Sequence, residues 1–484
     1  MRFRWFLSIL LFNVLLFFDI YHRIYLPSRE SVIISNHGNN AFAEAIQRLL
    51  KSHAKFYNSD SSVCQLNEKL KVEEELLLAN ATQILPLLKS QLSTYPDEYF
   101  EGRGIVLTVG QNQLLHTKFN LRIIEWLKTK LPVEVWYSST QINQETVQDI
   151  INFVPQLNLQ VCCFETGYCY SLNNQQRNIS LQYIHKPSIK QSLRKIYAFK
   201  PAAILSSTFR EVIFIDSDCY IVKDPIHLFD NDPMYKQFGS LFYPDIYRAH
   251  QYSHVWSLLN TTCVQNEFSI DSGVIVLDKK RVWNAIYLVK LMSHYDEIFY
   301  RRFFSDGDKD TFKLAFRTMH IPYYIVNIPC SIGYIINTTF CGVTLCKTDS
   351  LGLNVYFDHV HHPKHLHDLT FRKENFTHTR IALVDPYDSV SFITGYCGLY
   401  SLPCFQIGFY QGEYRTSVND YCQKSASIYD NKSFVNFLNK ETVLWNPNVD
   451  KQLLFMQTTE KTIPGYIDFY FQTQNEPIFK DIKL

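Results

Sequence analysis

Two carboxylates, Asp216 and Asp218, follow directly on the apolar run VIFI at residues 212–215. Such a run is typical of a strand buried on both faces of a sheet, and the end of that strand opens into a crevice where ligands bind. Side chains two residues apart in an extended chain point to the same side and can share one ligand. Because two such carboxylates repel one another unless a cation lies between them, the pair predicts a site for Mg²⁺ or Mn²⁺. The alternative interpretation is that they cap the following turn.

A cation held by only two protein carboxylates keeps coordination positions for phosphate oxygens. The expected ligand is therefore a nucleotide diphosphate-sugar, and the metal would neutralise the leaving diphosphate as the bond to the sugar breaks. Neither a GxGxxG loop nor a Walker loop is present to indicate other phosphate chemistry. The same Asp-x-Asp spacing also occurs elsewhere, at Asp230/Asp232, Asp306/Asp308 and Asp308/Asp310. Only the preceding strand therefore distinguishes the first pair.

Strand and helical patterns alternate from Gly104 onwards. The strand patterns are GIVLTVG, VEVWYSS and LNLQVCCF, and the helical patterns between them are LLHTKFNLRIIEWLKTK and ETVQDIINFV. Next come the helical KIYAFKPAAILSS, interrupted by Pro201, the strand SIDSGVIVLDKKR and the acidic loop and helix SDGDKDTFKLAFRTM. Strands separated by helices of this length indicate βαβ units. The predicted fold class is α/β, a Rossmann-type nucleotide-sugar-binding domain with a mixed, mostly parallel sheet.

The chain begins with an apolar segment behind two basic residues, Arg2 and Arg4. The apolar run from Trp5 to Phe18 is short for an ordinary bilayer, which needs about 20 apolar residues, and suits a thin membrane of the early secretory pathway. No small-residue cleavage site follows, which favours an uncleaved anchor over the alternative, a signal peptide. We therefore expect a single N-terminal transmembrane helix with a cytosolic basic flank and a lumenal remainder.

These patterns divide the chain into five parts. We expect a cytosolic tail at 1–4, a transmembrane signal anchor at 5–21, and a stem with leading helices at 22–99. The catalytic domain is expected at 100–370. Residues 371–484 are rich in Tyr and Phe and show little periodicity, which predicts an irregular lid or a second lobe.

Cysteine use and charge narrow the class of protein. The close cysteine sets are Cys162 with Cys163 and Cys169, Cys341 with Cys346, and Cys397 with Cys404. In a lumenal protein they predict disulfides whose connectivity the sequence does not specify, and a zinc site is the alternative. The formal net charge is +1, with charged residues spread along the chain. No nucleic-acid partner is therefore expected.

Five sequence blocks, lying between about residues 102 and 364, read GRGIVLTVG, KPAAILSSTFREVIFIDSDCYIVKDPIHLFD, DSGVIVLDKKR, GDKDTF and HVHHPK. Together, in this order, they resemble the fungal Golgi α-mannosyltransferases that elaborate mannan and the outer chains of glycoproteins, a family of the GT-A type. The resemblance implies a GT-A-like catalytic domain in a single-pass type II protein of the Golgi membrane.

The resemblance also implies residues that bind the donor. Thr108 and Gly110, in the first strand and loop, would contact the nucleotide. Lys200 would face the donor phosphates, and Lys364 would reach the diphosphate. The DSG block would hold sugar hydroxyls through its three residues, Asp271, Ser272 and Gly273.

The metal, by the same resemblance, would be held by Asp216, Asp218 and His359, with Asp218 the closer carboxylate ligand. Imidazole together with carboxylates and phosphate suits Mn²⁺ better than Mg²⁺, which remains the alternative. On spacing alone His361 and His362 are equally able ligands, and the histidine cluster also suits a zinc ion of its own.

The block GDKDTF places Asp308 and Asp310 beside the sugar carbon in related retaining folds, so that the resemblance implies catalytic and sugar-orienting roles for both. The alternative is structural, because acidic residues at a helix N-terminus stabilise the helix dipole. Lys347 departs from the family, where we expect Gln.

The function implied is transfer of mannose from GDP-mannose to a mannose-terminated glycan or mannan with retention, in a complex with other Golgi transferases. GDKDTF favours an α-1,2 over an α-1,3 linkage. Three alternatives stay open: a GT-A transferase that uses a galactose or glucose donor, a catalytically silent glycan-binding Golgi protein, and a hydrolase with two carboxylates.

Overall fold

The computed structural model describes residues 46–47, 50–51, 69–172, 176–187, 195–248, 251–261, 267–326, 328, 330–336, 339–342, 344–351, 354–359, 378–381, 390–397 and 402–409. For residues 115, 195–196, 246–248, 332–336, 339–342 and the last three segments the description is of the backbone alone.

The elements follow the predicted alternation. The first are α1 (Val72–Ser90), β1 (Arg103–Val109), α2 (Leu114–Trp126), β2 (Val133–Tyr137), α3 (Gln144–Phe153), β3 (Leu159–Cys163), β4 (Tyr168–Tyr170), β5 (Gln176–Asn178), α4 (Phe199–Ser206), β6 (Glu211–Ile215), β7 (Cys219–Ile221), α5 (Ile226–Asn231), α6 (Pro233–Phe238) and β8 (Ser240–Arg248). The others are α7 (Ser253–Leu258), β9 (Phe268–Asp278), α8 (Lys279–Met292), α9 (Asp296–Phe299), α10 (Lys309–Thr318), β10 (Tyr324–Ile325), β11 (Cys330–Ile336), β12 (Thr339–Gly342), β13 (Leu345–Thr348), β14 (Val355–His359), β15 (His378–Ile381), β16 (Val390–Cys397) and β17 (Leu402–Phe409).

Nine strands form one mixed sheet in the order β10-β8-β9-β6-β1-β2-β3-β4-β5. Its centre, β6-β1-β2-β3, is parallel, which confirms the predicted βαβ units. The expectation of a mostly parallel sheet is wrong, because four of the eight pairings between these described strands are antiparallel. Only residues 164–167 separate β3 from β4, too few for the crossover that a parallel pair needs.

Both faces of the central strands are buried. Ile105 and Leu107 on β1 belong to the apolar core shared with α2 and α3, whereas Val106 belongs to the core shared with α1, α4, α8 and α10. Alternate residues of β6 divide in the same way. Helices therefore cover the sheet on both sides as three layers, and the carboxyl ends of β1, β2 and β6 meet at one edge.

Pro201 does not interrupt its helix as the sequence suggested. It lies in the first turn of α4, after a 3₁₀ turn at Lys195–Ala198. The N–H groups of a first helical turn have no acceptor within the helix, so that a proline there removes no hydrogen bond. The buried α4 consequently carries Lys200 into the sheet edge.

Two smaller sheets complete the described part. Strands β13-β14-β7 form one, and β15-β11-β12-β17-β16 form the other, which includes three strands from the expected lid or lobe. Disulfides join Cys162 to Cys169 and Cys330 to Cys346, while Cys163 is buried as a free thiol. The expected grouping of Cys346 with Cys341 is therefore wrong, because β11 packs against β13 and brings Cys330 beside Cys346.

Among the residues that the structure describes, no helix is long and apolar enough to cross a membrane. The expected anchor at 5–21 lies outside the described residues.

Candidate active site

A tight turn after β6, at residues 216–218, presents Asp216 and Asp218 at the carboxyl edge of the central sheet. We call it the metal turn because two of the predicted metal ligands lie on it. The Asn120 side chain, on α2, fixes the turn by donating from Nδ2 to the carbonyl oxygens of Ser217 at 3.2 Å and Cys219 at 2.8 Å. On the other side, the Asp216 backbone N–H donates to the Gly273 carbonyl at 2.8 Å. The apolar strand, its turn and β9 together set the direction of both carboxylates.

His359 reaches this turn from β14, the middle strand of the three-stranded sheet. It is the last residue of β14 and pairs with Cys219 at the start of β7. Its Nε2 atom lies 3.5 Å from Asp218 Oδ1. The structure thus brings together two side chains that are 141 positions apart and that the resemblance assigned to one metal.

Asp271 holds the imidazole of His359 from behind. Asp271 Oδ2 lies 2.8 Å from His359 Nδ1 and is also bonded to the ammonium of Lys347, while Oδ1 accepts from the Gly273 N–H at 2.9 Å. A Cβ added at Gly273 would stand 3.0 Å from His359 Nδ1, so the ring packs directly over this glycine. Both oxygens of Asp271 are bonded within the protein, and its contact with sugar hydroxyls stays a prediction.

Lys200 connects the metal turn to α10. Its Nζ atom donates to Asp216 Oδ2 at 2.8 Å and to the Ser272 carbonyl and hydroxyl at 2.8 and 2.7 Å, and it lies 2.9 Å from Asp308 Oδ2. An ammonium has three N–H donors, so these partners use its capacity. The structure places Lys200 behind Asp216, and its contact with donor phosphates stays a prediction.

The neighbouring Asp310 faces away from Lys200. Its Oδ1 accepts from the Ile270 N–H at 3.0 Å, its Oδ2 accepts from Gln251 Nε2 at 3.0 Å, and Lys313 Nζ lies 3.2 Å from Oδ1. The side chain is fully buried. Asp308 therefore joins the site with Lys200, whereas Asp310 ties α10 to β9.

A cavity of about 360 Å³ opens in front of this network. Of the predicted residues, Thr108, Gly110, Lys200, Asp216 and Asp218 line it. Sequence reasoning missed the other polar and aromatic lining residues, which are Asn112, Gln113, His116, Gln141, Tyr197, Phe199 and Ser217. Asn112 and Gln113 follow the end of β1, so their position after a predicted strand was the signal that could have identified them.

The comparison with protein families decides the assignment. The model of the family described as "Mannosyltransferase putative" matches residues 102–267 and 256–349, a span that contains β1, the metal turn, β9 and α10. The chain belongs to this mannosyltransferase family. The resemblance stated from the sequence blocks is thereby confirmed.

Two curated relatives are similar to part of this chain. The α-1,2-mannosyltransferase MNN21 of Candida albicans is 23% identical over 314 residues, which cover 56% of this chain and 46% of MNN21. The α-1,2-mannosyltransferase MNN5 of Saccharomyces cerevisiae is 24% identical over 212 residues, which cover 32% of this chain and 34% of MNN5. The chain thus matches less than half of the length of either relative.

Among solved structures, the mannosyltransferase Ktr4p of S. cerevisiae aligns with this mannosyltransferase family member at 12% identity and a TM-score of 0.31. The alignment covers 59% of this chain and 84% of Ktr4p.

Burial and neighbouring charges shift the pKa values of three side chains in the site. Burial raises the pKa of Asp216 to about 7, with Asp218 and Asp308 acting in the same direction and Lys200 opposing them. Burial lowers the pKa of His359, but the carboxylates of Asp271 and Asp218 outweigh it and raise that pKa to about 10. The pKa of Asp271 is held well below its usual range, because His359 and Lys347 outweigh its burial.

The donor set of this family member fits a divalent metal. The Nδ1 atom of His359 bonds to Asp271, which directs Nε2 at Asp218, and a carboxylate behind a ligating imidazole is the usual support in metal sites. Two carboxylates and an imidazole suit Mn²⁺. In the described part of the chain no three His, Cys, Asp or Glu side chains already surround a common point.

Three predicted residues lie outside the described residues. They are Lys364 and the two alternative ligands, His361 and His362. Their roles stay predictions of the sequence.

Proposed function

We propose that this chain transfers mannose from GDP-mannose to a mannose hydroxyl of a protein-linked glycan or mannan, with retention of the α configuration. Family membership and relatives named α-mannosyltransferases support the reaction class. The single observation that carries the proposal is the approach of His359 Nε2 to within 3.5 Å of Asp218 Oδ1, beside a cavity that Asp216 and Asp218 line. Paired carboxylates and an imidazole at such a cavity suit a metal-assisted nucleotide-sugar site.

Asp216, Asp218 and His359 would hold Mn²⁺, with Mg²⁺ as the alternative. When bound, the ion would supply positive charge to the departing diphosphate. Thr108 and Gly110 line the cavity beside β1, which suits contact with the nucleotide.

Asp308 is the carboxylate that this proposal assigns to the sugar. Lys200 and the Ser272 hydroxyl, the latter 3.3 Å from Asp308 Oδ2, hold it next to the metal turn. From there its negative charge would stabilise an oxocarbenium-like transition state. Asp310 would act only by anchoring α10.

We further propose that the protein is a single-pass type II protein of the Golgi membrane with a lumenal catalytic domain. The apolar segment at residues 5–21 behind Arg2 and Arg4 supports this. An α-1,2 linkage is favoured over α-1,3 by the block GDKDTF.

The test is turnover of a panel of nucleotide sugars by the purified chain with Mn²⁺ and a mannose-terminated acceptor. We expect GDP-mannose to be used in preference to UDP-galactose or UDP-glucose, and Asp218→Ala to lower the rate by at least about 100-fold. Asp97→Ala, at a side chain that is 68% exposed, is the matched control. Equal turnover by Asp218→Ala, or preference for a UDP-sugar, would refute the proposal. No turnover together with no GDP-induced rise in the melting temperature would favour the silent glycan-binding alternative.

A further inference from the structure

One aromatic side chain at the cavity is left in contact with solvent. The large apolar side chains that are exposed in the described part of the chain are Val72, Leu76, Leu87, Tyr168, Leu181 and Tyr197. Of this set only Tyr197, at 43% exposure, lines the cavity. Single exposed aromatic side chains are ordinary on a protein surface, but one that lines a cavity is available to pack against a ligand.

The ring of Tyr197 is held in position although it is exposed. It meets the buried ring of Tyr300 edge to face, with ring centroids 6.2 Å apart and an interplanar angle of 75°. Its Cε2, Cζ and Cδ2 atoms would lie 3.5 to 3.8 Å from a Cβ built on Gly307. Gly307 has a φ of +90° and stands directly before Asp308. The ring thus packs beside Gly307, the residue before Asp308, and its exposed surface lines the cavity.

We propose that Tyr197 is a stacking surface for a hexopyranose ring, and this inference rests on the proposed function. One face of a hexopyranose carries C–H groups that pack on an aromatic ring, while the phenolic hydroxyl can exchange hydrogen bonds with sugar hydroxyls. A tyrosine offers this contact at low conformational entropy, since few torsions are frozen.

The position of Tyr197 favours a sugar over the nucleotide base. Its neighbours are Gly307 and, next in the chain, Asp308, which Lys200 ties to the metal turn. Thr108 and Gly110, by contrast, belong to β1 and the loop after it, the part of the lining that suits the nucleotide. The hexose is either the mannosyl group of the donor or the acceptor sugar, and the experiment separates these two.

The variants are Tyr197→Ala and Tyr197→Phe, with Tyr168→Ala as control, because Tyr168 is a comparably exposed tyrosine on β4 that does not line the cavity. Kd for GDP and for GDP-mannose is measured by calorimetry in Mn²⁺, and KM is measured with methyl α-mannoside as acceptor. We expect Tyr197→Ala to raise either Kd for GDP-mannose or KM for the acceptor about tenfold, with Kd for GDP unchanged. Tyr197→Phe should stay within about threefold of the parent chain, and Tyr168→Ala should change nothing.

A tenfold rise in Kd for GDP-mannose assigns the ring to the donor sugar, and a rise in the acceptor KM alone assigns it to the acceptor. Equal weakening of GDP and GDP-mannose would overturn the proposal, because the ring would then contact the nucleotide. Unchanged constants in a folded Tyr197→Ala variant would overturn it as well. A parent chain that binds no GDP and transfers no mannose would instead refute the proposed function, so that the two failures are distinguishable.

Discussion

Two Asp-x-Asp pairs, Asp216/Asp218 and Asp308/Asp310, differ in burial. The side chains of Asp216 and Asp218 keep 30% and 22% of their exposure, whereas those of Asp308 and Asp310 keep 5% and 0%. The first pair follows a strand and lines the cavity. The second pair begins a helix, and its carboxylates meet Lys200 and the backbone of β9.

This difference shows that the neighbouring strand or helix determines whether an Asp-x-Asp pair is exposed to a ligand or buried. A strand that ends at the sheet edge leaves its next residues in the crevice, where they can take a ligand. A helix that starts against the sheet directs its first carboxylates into the protein, where they replace missing backbone partners or pair with buried lysines. The same spacing therefore gives two cavity-lining carboxylates in one place, and in the other a buried carboxylate beside Lys200, Asp308, and a structural tie, Asp310.

The largest effect is expected for Asp310→Asn. The change would leave the fully buried Lys313 without its carboxylate, and breaking such a pair costs about 3–5 kcal/mol of unfolding free energy. Urea denaturation followed by circular dichroism measures it. Asp306→Asn, at an exposed residue in the same loop, is the control and should be neutral. A loss below about 1 kcal/mol would show that Asp310 is not the structural member of its pair.

Asp308→Asn should separate activity from stability. Lys200 keeps Asp216 as a partner in this variant, so we expect the fold to survive with a stability loss of about 1–2 kcal/mol. Because the carboxylate would no longer stabilise charge on the sugar, kcat should fall about 100-fold. Turnover of GDP-mannose and a denaturation curve on the same preparation check both. An unchanged kcat would remove Asp308 from the reaction.

Gly273→Ala tests how the first pair acquires its third ligand. The added Cβ would meet His359 Nδ1 at 3.0 Å and Asp271 Oδ1 at 3.2 Å, so these two side chains must give way and the imidazole loses its present position beside Asp218. We expect the Kd for Mn²⁺ to rise about tenfold, as when support behind a ligand is removed. Electron paramagnetic resonance of free Mn²⁺ measures it without any donor sugar. An unchanged Kd in a folded variant would mean that His359 is not held by this contact.

The sequence was sufficient for local features and for those that the family blocks contain. The apolar run before Asp216 predicted a strand buried on both faces, and β6 is one. The alternation of patterns predicted the parallel centre of the sheet, because each crossover helix is visible as its own periodic segment. Asp216 and Asp218 were separated from the other Asp-x-Asp pairs by that strand alone.

Contacts between distant segments could not be predicted in this way. Lys200 and Ser272 are 72 positions apart. The lysine links Asp216 and Asp308 only because α4 packs on β1 and β6 while β9 pairs with β6. The antiparallel strands β8 and β9 carry no sequence signal that distinguishes them from parallel ones. Cys330 pairs with Cys346 for the same reason, since sequence distance ranks Cys341 first while packing selects Cys330.

The smallest expected effect is the pH dependence of stability that comes from Asp216, a member of the first pair. Burial, with Asp218 and Asp308 nearby and Lys200 opposing, raises the pKa of Asp216 from 3.8 to about 7. The unfolded chain ionises this group near its ordinary pKa while the folded chain keeps the proton. The stability that Asp216 contributes is therefore full below pH 3.8 and is lost as pH rises towards 7.

The variant Asp216→Asn does not titrate at this position and should escape that loss of stability. In EDTA, the melting temperature of the variant relative to the parent chain should therefore climb between pH 4 and pH 7 and then level off, with a shallow slope because the side chain is 30% exposed. A difference that is independent of pH would mean that Asp216 ionises normally in the fold. A melting-temperature difference that rises with pH would show that Asp216 and Asp310 have opposite effects on stability. Removing Asp310 weakens the fold, whereas the Asp216 carboxylate, which lies in the crevice for a ligand, destabilises the protein until the ligand binds.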